Sequence, residues 1–99
     1  MAIELILVPE IESDLGEAFT WYEQRRQGLG LEFLTCVDAC LQSICRNPQV
    51  YARVADKTRR ALVRRFPYAV FFEEGDGRIT VYAICHTAQH PSRWKLRVP

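Results

Sequence analysis

Two arginine doublets, Arg59-Arg60 and Arg64-Arg65, a further Arg93, two histidines at His86 and His90, and four cysteines are the residues here that could do chemistry. A guanidinium is planar and holds phosphate or carboxylate through two parallel hydrogen bonds, so paired arginines flanking a short apolar run suit an anionic partner. The same pattern also describes a solvated strand face laced with ion pairs. Imidazole titrates near neutral pH and can move protons. Histidines spaced as His86 and His90 share a metal only when a helix carries them, and Pro91 opposes a helix there, so no metal is expected. Cys36, Cys40, Cys45 and Cys85 contain no C-x-x-C pair and read as reduced thiols packed as small apolar side chains.

The chain has 99 residues, 48% hydrophobic and 25% charged, with a formal net charge of +1. This composition suits one folded globular domain, residues 1–99, rather than a disordered chain. The length excludes a dinucleotide fold or a barrel enzyme, leaves little room for an internal cavity, and no cofactor is expected. The apolar run Leu5-Ile6-Leu7-Val8 stops at Pro9, too short for a signal-peptide core or a membrane span, so a cytoplasmic protein without a membrane partner is expected. The near-zero charge hides an asymmetry. Residues 1–50 carry eight acidic and three basic groups, net −5, while residues 51–99 carry four acidic and ten basic groups, net +6. Eight of those ten are arginine, so the second half is where an anionic partner would bind.

The elements that must position these groups follow from periodicity. Ile3, Leu5 and Leu7 alternate with Glu4 and Ile6, which predicts a short strand ended by Pro9. Ile11, Leu15, Ala18, Phe19 and Tyr22 share one helical face, with Ser13 as the expected N-cap and Gly28 as the expected left-handed C-cap. After Gly28-Leu29-Gly30, a second stripe runs through Phe33, Leu34, Val37, Leu41 and Ile44 to Asn47-Pro48. The short link makes the two helices an antiparallel hairpin. Ala61–Val63, Ala69–Phe72 and Ile79–Cys85 read as three strands, the last two joined by a turn at Gly75-Asp76-Gly77. Ser92–Leu96 suits one helical turn. The expected fold is α+β in the order β-α-α-β-β-β: a two-layer sandwich with the hairpin on a mainly antiparallel four-stranded sheet.

Trp21-Tyr22-Glu23, Gly28-Leu29-Gly30 with Phe33, Asn47-Pro48, Arg64-Arg65-Phe66-Pro67-Tyr68, and His86…Pro91…Arg93-Trp94 together resemble the RelE/ParE toxin superfamily of type II toxin–antitoxin (plasmid stabilisation) systems. The resemblance runs from about Pro9 to Arg97 and agrees with the element order read above. It implies a toxin neutralised by a cognate antitoxin. Its target would be DNA gyrase, through protein contact, if ParE-like, or ribosome-bound mRNA, by metal-independent cleavage, if RelE-like. A relative that only binds its antitoxin is a third reading. The ParE-like reading is favoured because the tyrosine that a RelE-like enzyme places near its C-terminus is missing, and Trp94 has no ionisable hydroxyl.

For a ribonuclease, the resemblance makes Arg64 or Arg65 and Arg93 the cations at the phosphorane, with His86 or His90 moving protons. For a protein-contact toxin, it makes Arg59, Arg60, Arg65, Trp21 and Trp94 the partner-binding residues. The Arg-rich sheet would then take an acidic, partly disordered segment with apolar anchors beside the helices. Each has a structural alternative. In it His86 hydrogen-bonds a neighbouring loop, and Trp94 locks the C-terminal turn onto the sheet. Trp21 falls at the margin of the apolar stripe, under the first strand or exposed at an interface.

Overall fold

The computed structural model describes residues 3–99; Met1 and Ala2 of the expected domain lie outside the described residues. The elements are β1 (Glu4–Leu7), α1 (Glu10–Arg25), α2 (Leu29–Arg46), β2 (Arg53–Ala55), β3 (Thr58–Leu62), β4 (Tyr68–Gly75), β5 (Arg78–His86) and α3 (Ser92–Lys95), with a single 3-10 turn at Pro48–Val50. The fold is α+β, and its sheet has five strands rather than four, in the order β1-β5-β4-β3-β2. β1 runs parallel to β5 and the other pairings are antiparallel. The strand missed in the sequence, β2, is three residues long with one aliphatic residue of branched type, Val54, and is held by a bulged pairing to β3. Strands that short carry no readable alternation.

α1 begins at Glu10, with Pro9 as its N-cap, not at Ser13. Proline has the helical φ already set, so the Val8 and Pro9 carbonyls accept the Ile11 and Glu12 N–H groups and the helix starts before the serine. Glu10 and Glu12 occupy its first turn and Arg25 its last, which complements the helix dipole. Gly28 does adopt φ +88°, but as the residue that opens α2; α1 ends at Arg26 in an extended conformation. The orphan N–H groups at the start of α2 are taken by the carboxylate of Glu23 on α1, from Gly28 at 2.8 Å and Gly30 at 2.9 Å.

Gly30 sets how closely the two helices approach. A Cβ there would lie 2.7 Å from the Phe19 ring and 2.9 Å from the Phe19 carbonyl oxygen. Gly30→Ala is therefore expected to destabilise the fold by about 1–3 kcal/mol despite alanine's better helix propensity. Urea unfolding of the variant checks this; unchanged or raised stability would contradict the close packing.

α1 lies over β5 and α2 over β3. Ile11, Ala18, Tyr22, Phe33, Val37, Leu41 and Ile44 bury against Ala61, Val70, Phe72, Ile79, Val81 and Ile84. Tyr22, Phe33, Phe66 and Tyr68 form one ring cluster with centroids 4.9–6.1 Å apart, so Phe66-Pro67-Tyr68 is a turn with packed rings. The opposite face of the sheet is also covered. Ala69, Phe71, Ala83 and Cys85 pack under Trp94 of α3. β1 is less buried than its apolar pattern suggests. Leu5 and Leu7 pair with Ile79 and Val81, but they sit at the sheet margin beyond α1 and stay exposed.

One irregularity aims the functional end of β5. Phe71 pairs with Ala83 and Phe72 with Val81, so Tyr82 is an extra residue in the strand. This bulge lets both Val81 and Ile84 face the helices while Ala83 and Cys85 face α3. The Gly75-Asp76-Gly77 turn joins β4 to β5 as expected, with positive φ at Asp76 and Gly77, the geometry of a tight hairpin.

Candidate functional site

Beyond Val81, β1 no longer pairs with β5, and the edge of β5 is completed by side chains. The buried Asp14 of α1 accepts the Ile84 N–H at 3.0 Å through Oδ2. The same carboxylate holds Arg97 in two bonds, Nη1 to Oδ2 at 2.6 Å and Nη2 to Oδ1 at 2.9 Å. Arg97 Nη1 also donates to the Tyr82 carbonyl at 3.2 Å. The bulge, α1 and the C-terminal segment are thus tied at one carboxylate. Asp14 keeps the Arg97 guanidinium above its ordinary pKa, first by hydrogen bonding.

Beside this tie, a cleft of about 630 Å³ opens between α1, the β3–β4 turn and the segment after β5. Ala18, Tyr22, Pro67 and Ile84 supply apolar surface, and Trp21, Tyr68, His86, Gln89, Glu17 and Arg93 bring polar or amphipathic groups. The Tyr68 and His86 rings meet edge to face at 5.3 Å. Burial raises the Tyr68 hydroxyl pKa, with smaller upward pushes from Tyr22, Cys85 and Glu17 and a downward pull from Arg93. The tyrosine therefore enters the cleft protonated. His86 Nδ1 accepts the Ala88 N–H at 3.0 Å, which leaves the proton of a neutral ring on Nε2. Arg93 reaches only the outskirts of its acidic neighbours, 4.0 Å from Asp14 and 3.9 Å from Glu17.

The residues singled out in the sequence do not converge. His86 and Arg93 line this cleft. Arg64 lines a different groove, between α2 and β3. Arg65, at φ +71°, turns to Glu32 on α2 and bonds it at 2.7 Å, while Arg26 holds the other carboxylate oxygen at 2.9 Å. These bonds, Arg65 first, keep the exposed Glu32 carboxyl below its usual range. Arg59 donates to the Tyr51 carbonyl at 2.6 Å and to Gln49 at 3.4 Å, so it braces the chain that leads into β2. Arg60 points away from the helices, in register with Phe71. Trp21 is half-exposed at the cleft mouth with the Arg25 guanidinium 3.8 Å above its ring. His90 accepts the Ser92 N–H through Nδ1 and shapes the start of α3.

Trp94, expected among the partner-binding residues, is buried instead of exposed, stacked on Phe71 at 4.6 Å between centroids and 11° between planes. The physical reason is that β4 and β5 present apolar residues on both faces, and the second face needs a cover.

Sequence reasoning missed Asp14, Arg97 and Tyr68. Asp14 carried a signal, since it interrupts the apolar spacing of Ile11, Leu15 and Ala18 with a charge on the buried face. Three of the four thiols are held back from ionising. Burial pushes Cys40 up to about 11, and Cys45 and Cys85 are raised by the same cause.

No family model matches the sequence, and no curated protein matches it. Among solved structures, a chain of the chromosomal ParDE TA system from P. aeruginosa shares the fold, with a TM-score of 0.75 at 14% identity. The match covers 85% of this chain and 95% of that one.

Proposed function

We propose that the chain is the toxin of a type II toxin–antitoxin pair, ParE-like, acting in the cytoplasm by contact with an essential protein such as DNA gyrase and neutralised by a cognate antitoxin. The likeness of fold to the ParDE chain supports a toxin–antitoxin component. The observation that favours protein contact over RNA cleavage is the dispersal of the cationic groups. Arg64 and Arg65 line or contact α2, His86 and Arg93 lie at the α1–β5 cleft, and Trp94 closes the remaining sheet face. A phosphorane needs its cation, acid and base within hydrogen-bond reach of one reacting group.

A second, RelE-like reading has one observation in its favour. Tyr68 supplies the aromatic hydroxyl that the C-terminal sequence lacks, in the same cleft as His86 and Arg93. In that reading the acid is Tyr68 or the His86 Nε2–H, and Arg93 is the phosphorane cation, without a metal.

The two readings separate in a translation reaction programmed with a defined message. The expected result is growth arrest on induced expression while the message stays intact with purified protein. Cleavage that Tyr68→Phe and Arg93→Ala abolish would transfer the function to the second reading.

A further inference from the structure

The cleft beside α1 presents hydrogen-bond donors and almost no free acceptor. His86 Nδ1 is taken by the Ala88 N–H, so the neutral ring offers its Nε2–H. Gln89 spends its carbonyl oxygen on the His86 N–H at 3.2 Å, which leaves its amide hydrogens to give. The Tyr68 hydroxyl keeps its proton, chiefly through burial. Arg93 stands 4.0 Å from Asp14 and 3.9 Å from Glu17, too far for a hydrogen bond to either carboxylate. These donors converge. The Tyr68 and His86 rings are 5.3 Å apart, and Arg93 is near enough to pull on the Tyr68 hydroxyl. The nearby carboxylates accept little from a ligand. Asp14 is occupied by Arg97 and the Ile84 N–H, and the Glu17 side chain lies at the rim, 71% exposed.

The rest of the wall is apolar, from Ala18, Tyr22, Pro67 and Ile84. A volume of about 630 Å³ is that of a small-ligand site. A ligand cation has no seat on Trp21, whose face is covered by the Arg25 guanidinium at 3.8 Å. Arg93 is the one lysine or arginine among the described residues that line the cleft, and Glu17 sits beside it. One negative charge therefore matches the site. A doubly charged phosphate monoester, or a strand of successive phosphodiesters, would bring more charge than a single guanidinium answers. The planar fork of that guanidinium suits a carboxylate.

We propose that the α1–β5 cleft binds a small organic monocarboxylate, with the carboxylate on Arg93, the Tyr68 hydroxyl and the His86 Nε2–H, and the apolar body against Ala18, Pro67 and Ile84. The inference does not depend on the toxin reading, since a chain that acts by protein contact can carry such a site.

The test uses the full-length, isotopically labelled chain titrated with phenylacetate, benzoate and octanoate. Phenylacetamide, phenethylamine, phenyl phosphate and an RNA dinucleotide are the comparison probes. Amide shifts are expected at Ala18, Tyr68, Ile84 and His86 with millimolar acid, the affinity open to ligands this small. Phenylacetamide should bind at least about tenfold more weakly than phenylacetate, the size of a lost charge-assisted hydrogen bond, and phenethylamine should not bind. Arg93→Gln and Tyr68→Phe should each weaken acid binding about tenfold for the same reason. Arg46→Gln, which removes an exposed arginine on α2 outside the cleft, should leave it unchanged. The amide spectrum of each variant shows whether it is folded. No shifts with any of the three acids at tens of millimolar would overturn the proposal. So would equal binding of phenylacetamide, tighter binding of phenyl phosphate or the dinucleotide, or undiminished acid binding in folded Arg93→Gln and Tyr68→Phe.

Discussion

Arg97→Ala is expected to lower the free energy of unfolding by about 3–5 kcal/mol, the cost of leaving a buried charge without its partner. The Asp14 side chain is 2% exposed and keeps two bonds to Arg97 and one to the Ile84 N–H. Removing the guanidinium leaves that carboxylate with one backbone N–H and with Arg93 at 4.0 Å. It also leaves the Tyr82 carbonyl without its donor. Arg97→Lys should recover only part of the loss, because an ammonium cannot make the two parallel bonds. Asp14→Ala should cost a similar amount, and the double variant should cost clearly less than the sum, since the two residues share one interaction. Urea unfolding followed by circular dichroism measures all four. Additive effects would contradict the tie.

Trp94→Ala is expected to cost about 3–5 kcal/mol, the range for removing a buried aromatic from a core. The ring is stacked on Phe71 and covers Ala69, Ala83 and Cys85, which have no other helix above them. The variant should bind a hydrophobic dye and expose Cys85, buried in the wild type, to faster alkylation at neutral pH. Trp94→Phe should retain most of the stability, because it can keep the stack. A Trp94→Ala protein of unchanged urea midpoint would mean that the far face does not depend on this cover. A domain this small has about 5–15 kcal/mol in total, so either large variant removes a substantial part of its margin.

Both expectations concern a segment whose role was only partly legible in the sequence. The α+β class, the helical hairpin, the β3–β4–β5 meander and the turn at Asp76-Gly77 follow from period and turn chemistry, which are local properties. The stacked position of Trp94 was available as an alternative to partner binding, but choosing it requires knowing that Phe71 and Ala83 face away from the helices. That depends on register and on the Tyr82 bulge, which no local pattern reveals. The tie between Asp14 and Arg97 joins residues at opposite ends of the chain for the same reason. The dispersal of Arg64, Arg65, His86 and Arg93 is likewise a matter of tertiary placement. Spacing placed the arginines near the sheet, but the positive φ of Arg65 turns its side chain to Glu32. The charge asymmetry was legible, and the structure sharpens it. On the acidic half Glu32 is held by Arg26 and by Arg65 of the basic half, whereas Arg64 has no acidic partner among the described residues.

The most direct test of the central claim is a DNA supercoiling assay with purified gyrase titrated with this chain. Saturable inhibition is expected, and Tyr68→Phe and Arg93→Ala should leave it intact if the effect comes from protein contact and not from chemistry in the α1–β5 cleft. Unimpaired supercoiling at saturating protein, with cleavage of ribosome-bound message by the same preparation, would contradict it.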